Sequence, residues 1–175
     1  DLANGKITRV AAGAHDVVWH RPRVSADGRR VALSVQRNGT WSVSIVDALT
    51  GAETPVTNSE GASRYAPSWT PDGRLVVVSE AGGVPNLESI DPPRRDSRSL
   101  TRVTGAVAGP DVGPDGRVWY LSLHARGYDL RRLGARAPAA DRVVALDPRL
   151  TPAAPRTPNA GLAFRPAAIT GPGDY

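Results

Sequence analysis

The residues of this chain with the chemistry for acid–base, nucleophilic or metal work are few. Its histidines are His15, His20 and His124, and an aspartate recurs at Asp27, Asp72 and Asp115. Hydrolysis needs a nucleophile beside a base, or a metal with an open coordination position. His15, Asp16 and His20 lie close together, but their spacing matches no specific ligand pattern. There is no Cys, so thiol nucleophiles, thiolate metal sites and disulfides are excluded. There is no His-Glu-x-x-His, and Gly61-Ala62-Ser63-Arg64-Tyr65 departs from the Gly-x-Ser-x-Gly elbow at its last position. Gly105, Gly109, Gly113 and Gly116 precede no helix and cannot cradle a phosphate. Asn38-Gly39-Thr40 is better explained as a hairpin turn than as a glycan acceptor. No catalytic residue, metal or cofactor is expected.

The elements around these residues follow from composition. The 175 residues include 18 Gly and 16 Pro, only 5% are aromatic, and the apolar runs are short, as in Leu75–Val78. Many turns and short strands are expected, with no membrane-crossing helix and a core of Val, Leu, Ile and Ala. The net charge is +5, and 21 of the 22 basic residues are arginine. They are scattered through predicted turns and strand ends rather than gathered in a stripe with aromatics, so no nucleic-acid partner is expected.

An internal repeat organises the chain. Pro22–Gly28, Pro67–Gly73 and Pro110–Gly116 align, each with Pro five residues before an Asp-Gly pair and an apolar residue (Val24, Trp69, Val112) two after Pro. The Asp-Gly pairs are 45 and 43 residues apart. Each copy is followed by a strand pattern: Val31, Leu33 and Val35 alternate, as do Trp119, Leu121 and Leu123, while Leu75–Val78 reads as buried on both faces. A Gly turn, a second strand, an Asp-rich turn and a strand ending in Val-Thr follow. Asp27-Gly28, Asp72-Gly73 and Asp115-Gly116 are expected to be structural turns, Asp bonding back to the backbone and Gly taking a positive φ. A unit of four short antiparallel strands in about 45 residues is the size of a propeller blade.

These residues resemble the TolB-like β-propeller repeat, Pro-x-aromatic-Ser-Pro-Asp-Gly followed by a strand. Pro67–Gly73 differs only at Thr70, the first copy has Ala26 for Pro, and the third has Gly113 for Ser. The resemblance spans about residues 1–133. It implies an all-β partial propeller of about three four-stranded blades over residues 1–147. Residues 1–13 would be the outer strand of a truncated blade, with blades at 14–60, 61–105 and 106–147. The last would be completed by a strand at Val143–Leu146. Residues 148–175, with prolines crowding from Pro138 onward, read as a Pro/Ala-rich linker or tail. The start at Asp1, in mid-blade, implies a processed or excised piece of a longer protein.

Such propellers are non-catalytic platforms for protein or peptide recognition in the bacterial envelope or in secreted proteins. Others gate the substrate of a peptidase whose catalytic domain lies elsewhere in the chain. Fold-level likeness does not choose between these. The expected partners are a protein or peptide and the neighbouring blades or domains of the parent chain, without direct membrane insertion. The candidate binding residues are Trp19, His20, Arg64 and Tyr65, in the segments entering the innermost strands. Trp, Tyr and Arg there are interface-anchoring types, and inter-blade packing is their competing role.

Overall fold

The computed structural model describes residues 5, 7–57 and 61–134. Strand β1 (Val18–Val24) runs into the first Asp-Gly turn and returns as β2 (Arg30–Arg37). Asn38 and Gly39 both have positive φ, 50° and 80°. That is the geometry of a two-residue turn matched to strand twist, and it joins β2 to β3 (Thr40–Asp47) with Arg37 opposite Thr40. The Asp47 carboxylate then accepts the N–H groups of Leu49 and Thr50, reversing the chain into β4 (Glu53–Pro55). The sheet order is β1-β2-β3-β4, antiparallel throughout.

The second copy repeats this as β5 (Arg64–Trp69), β6 (Leu75–Ser79), β7 (Asn86–Asp91) and β8 (Asp96–Ser99). The third gives β9 (Ala106–Val112), β10 (Val118–His124) and β11 (Gly127–Leu133). No helix occurs among the described residues. The strand expected at Val143–Leu146 and the tail at 148–175 lie outside them.

The turns account for one of the two residues by which the motif spacings differ. Ser25 N–H bonds the carbonyl of Arg30, five residues on, whereas Thr70 bonds Arg74 and Gly113 bonds Arg117, four residues on. The first turn therefore carries one extra residue, and Arg30, Arg74 and Arg117 are the equivalent strand starts. The outer ends also shift register. Thr57 Oγ1 accepts the N–H of Val43 at 2.9 Å, and Thr101 Oγ1 accepts that of Leu87 at 2.8 Å. Val56-Thr57 is thus matched in the second sheet by Leu100-Thr101, and not by the later Val103-Thr104.

Between the first and second sheets lie Ala32, Val43, Val56, Leu75, Val77 and Ile90. Between the second and third, Val76, Val78, Leu87 and Leu100 meet Val107, Val118 and Tyr120. β6 is buried at every position because a sheet covers each of its faces. In β10 the inward residues are Val118, Tyr120 and Ser122; Trp119 and Leu121 face out. The alternation of Trp119, Leu121 and Leu123 thus runs along the outward face, because both faces of this strand are apolar and the second sheet covers the other one. Residues 7–13 form no strand, where an outer strand is expected. A strand exists only through its ladder partner, and none of the described strands pairs with them.

Each first strand is kinked at the residue before its motif proline. Arg21, Ala66 and Gly109 have φ of 51°, 54° and 56°, and the ladder slips there in all three sheets. A residue before proline normally stays extended, so this repeated left-handed conformation is a bulge that re-aims the strand.

Two substitutions test the packing. Leu75→Ala, at a fully buried position, should cost about 2–5 kcal/mol in urea unfolding. A Cβ on Gly105 would overlap the Leu123 carbonyl oxygen, so Gly105→Ala should cost about 1–3 kcal/mol.

Candidate interaction surface at the first strands

β1 touches β5 and β5 touches β9, whereas the outer strands β4 and β8 do not meet. The sheets therefore fan out from a line near their first strands, where polar side chains from different repeats can converge.

The aligned pairs Trp19-His20 and Arg64-Tyr65 sit on β1 and β5. Successive residues of a strand point to opposite faces, so neither pair forms a single patch. Trp19 packs beside Leu33, Val35 and Val46, with its indole N–H enclosed and unpartnered among the described residues. His20 is exposed, its ring 5.9 Å from that of Trp41. Arg64 Nε donates to Glu88 Oε2 at 2.7 Å, with the two side chains 20% and 12% exposed. Tyr65 turns the other way and donates its hydroxyl to Glu80 Oε1 at 3.1 Å. Burial, then the hydrogen bond and charge of Glu80, push its pKa up to about 12, so it stays a neutral donor. Of the four, His20 alone is open to solvent.

Neighbouring residues bring charge to the convergence line. Arg21 reaches towards β9, its Nη1 3.6 Å from where a Cβ on Gly109 would stand. Arg23 Nη2 lies 4.0 Å from Asp111 Oδ1, both side chains largely exposed, a geometry worth little in water. The Arg23 carbonyl accepts the Trp69 indole N–H at 2.9 Å, and the Arg30 guanidinium covers the Trp69 ring at 4.7 Å. These contacts hold the backbone under the arginines. Arg21, Arg23 and Asp111 are missed by looking two residues before each proline. The usable signal is the pair of positions immediately flanking it.

The Asp-Gly residues are placed in turns, each occupied locally. Asp27 accepts from Ser25 Oγ at 2.6 Å and the Arg29 N–H at 3.0 Å, Asp72 from Thr70 Oγ1, and Asp115 from the Arg117 N–H and guanidinium. Gly28, Gly73 and Gly116 take φ of 71°, 81° and 74°. The Ser25 hydrogen bond, then that of the Arg29 N–H, lower the Asp27 pKa; the Arg117 backbone and side chain do the same for Asp115. A general base near neutrality would need the opposite shift. Asp72 and Asp115 border a cavity of about 350 Å³ between the second and third sheets. Its Arg74 is held by Ser89, Asp91 and Asp96. Among the described residues no group of His, Asp and Glu is arranged to hold a metal.

Glu88 shows how the pair beneath this surface is held. Burial raises its pKa, but hydrogen bonds from Arg64, Ser97 and Ser79 and the charge of Arg64 outweigh that and leave it lowered. A carboxylate with a lowered folded-state pKa stabilises the fold above its unfolded pKa and loses that contribution as pH falls through the folded one. Glu88→Gln should therefore flatten the decline of thermal midpoint below the ordinary glutamate range. Arg64→Ala, which strands the carboxylate, should cost about 2 kcal/mol at pH 7.

No family model and no curated protein matches the sequence. Solved structures do. TolB from Acinetobacter baumannii superposes with a TM-score of 0.59 at 21% identity, over 66% of this chain and 30% of that one. A putative TolB from Agrobacterium tumefaciens gives 0.58 at 22%, over 66% and 44%. A puromycin-hydrolyzing peptidase of Mycobacterium tuberculosis gives 0.56 at 21%, over 67% and 20%. The chain spans less than half the length of each. With three meandering antiparallel sheets fanned about their first strands, the described chain has the fold of a TolB-like β-propeller.

Proposed function

We propose that this chain is a non-catalytic propeller platform that recognises a protein or peptide, in a bacterial envelope or secreted protein. The observation that carries this reading is the exposed β1 row of His20, Arg21 and Arg23, with Asp111 the nearby carboxylate. Two guanidinium groups on a braced strand suit a partner that offers carboxylates, since Arg binds them through paired donors. The rigid backbone beneath lowers the ordering cost of binding. Non-catalytic use is supported by the local occupation of every motif aspartate. Likeness to TolB structures supports a recognition role by analogy of fold.

A second reading, a gate for a peptidase domain elsewhere in the parent, is favoured by the likeness to the puromycin-hydrolyzing peptidase. A His-Glu-x-x-His or nucleophile-elbow domain in the parent sequence would select it.

The recognition reading is tested with a fluorescein-labelled Glu-rich peptide and a Lys-rich control. The chain should bind the acidic peptide more tightly, with affinity falling as salt rises. A His20→Ala, Arg21→Ala, Arg23→Ala variant should bind about tenfold more weakly, or about 1.4 kcal/mol, at an unchanged thermal midpoint. Trp69 bonds only the backbone of Arg23, so the strand should survive the change. Equal binding of both peptides, or undiminished binding by the variant, would overturn the assignment.

A further inference from the structure

The outer turn of the second sheet carries a charge that the first sheet does without. Arg95 N–H bonds the Asp91 carbonyl, as Gly51 N–H bonds that of Asp47. The two residues hold the same place before their outer strands, and both are left-handed, with φ of 55° and 74°. Glycine takes that conformation freely, whereas a residue with a Cβ is strained in it. The first sheet balances its charges near this turn, where Glu53 is bonded by Arg37 and Ser44. The ladder registers put Ser97 in the place of Glu53 and Glu88 in that of Ser44. In the second sheet Glu88 is matched by Arg64, and Arg95 is a second cation. The carboxylates beside it, Asp91 and Asp96, pair with Arg74 and Arg94 instead. Arg64 too is peculiar to this sheet, its counterparts being Trp19 and Val107. The shared repeat requires neither arginine.

Both cations border a cavity of about 270 Å³ between the first and second sheets, with Thr57, Ser97, Val56 and Ile90. No carboxylate lines it among the described residues, in contrast to the cavity bordered by Asp72 and Asp115. Arg64 spends its Nε–H on Glu88, and a guanidinium has five N–H donors. The Thr57 hydroxyl accepts from the Val43 N–H and keeps its own proton to donate. We infer that this cavity binds a small phosphate monoester, its phosphoryl oxygens held between Arg64 and Arg95 and its carbon part against Val56 and Ile90. A phosphoryl group has three terminal oxygens and engages two guanidinium forks, whereas a carboxylate fills one. With Glu88 matched by Arg64, the charge of Arg95 is left over to attract the anion.

The experiment is calorimetric titration of the 175-residue chain with phenyl phosphate, inorganic phosphate and phenol. Phenyl phosphate should bind at one site and more tightly than inorganic phosphate, and phenol should not bind. Arg95→Gly, which places the glycine of the first repeat at an exposed turn, should weaken phenyl phosphate at least tenfold without lowering the thermal midpoint. The His20→Ala, Arg21→Ala, Arg23→Ala variant should bind it as the unaltered chain does, so that failure of this site is distinguishable from failure of the β1 surface. No binding of phenyl phosphate at millimolar concentration would overturn the inference, as would undiminished binding by Arg95→Gly. So would loss of binding in the triple variant, equal affinity for inorganic phosphate, or binding gained only when Glu60, outside the described residues, is replaced by Gln.

Discussion

A sheet of four short strands with apolar residues on both faces cannot bury them by itself, and everything else in this molecule follows from that. β6 shows the constraint met: all its side chains are buried because the first sheet covers one face and the third the other. β10 shows it half met, with Val118 and Tyr120 covered and Trp119 and Leu121 in solvent. Stability in such an array is a sum over neighbouring pairs, so each repeat matters mainly through the surfaces it offers to the next.

Polar contacts set the angle at which these surfaces meet. Ala66 donates its buried N–H to Ser34 Oγ at 2.8 Å, and Val112 donates to Ser68 Oγ at 3.0 Å, so each sheet is pinned to the preceding one close to its first strand. The left-handed residue before each proline lies at this seam. Strain there is of order 1–3 kcal/mol for a residue other than glycine. It recurs at Arg21 and Ala66, which marks it as part of the blade geometry rather than of one site. Its by-product at β1 is positional: Arg21 is turned towards the line where the first strands gather.

Much of the fold is legible in local chemistry. The Asp-Gly turns, the Asn38-Gly39 reversal and the alternation of Val31–Val35 are each dictated by a few adjacent residues, which is why the repeat can be read without coordinates. The candidate site is less so. Trp19, His20, Arg64 and Tyr65 are aligned by motif, yet strand alternation sends Arg64 to Glu88 on one face and Tyr65 to Glu80 on the other. Shared motif position carries no information about which side chain remains free.

The residues alone determine that this chain forms strands of this length, joined by these turns, in a unit repeated about every 45 residues, since turn dihedrals and hydrophobic period are local properties. The tertiary structure alone decides which face of β10 is core, that Leu100-Thr101, just past the second outer strand, is the pair that bonds to Leu87, and that Arg21 and Arg23 stand exposed while Arg64 is engaged. Those outcomes depend on what lies across a sheet interface, and two surfaces with the same apolar pattern are distinguished only by the neighbour that covers one of them.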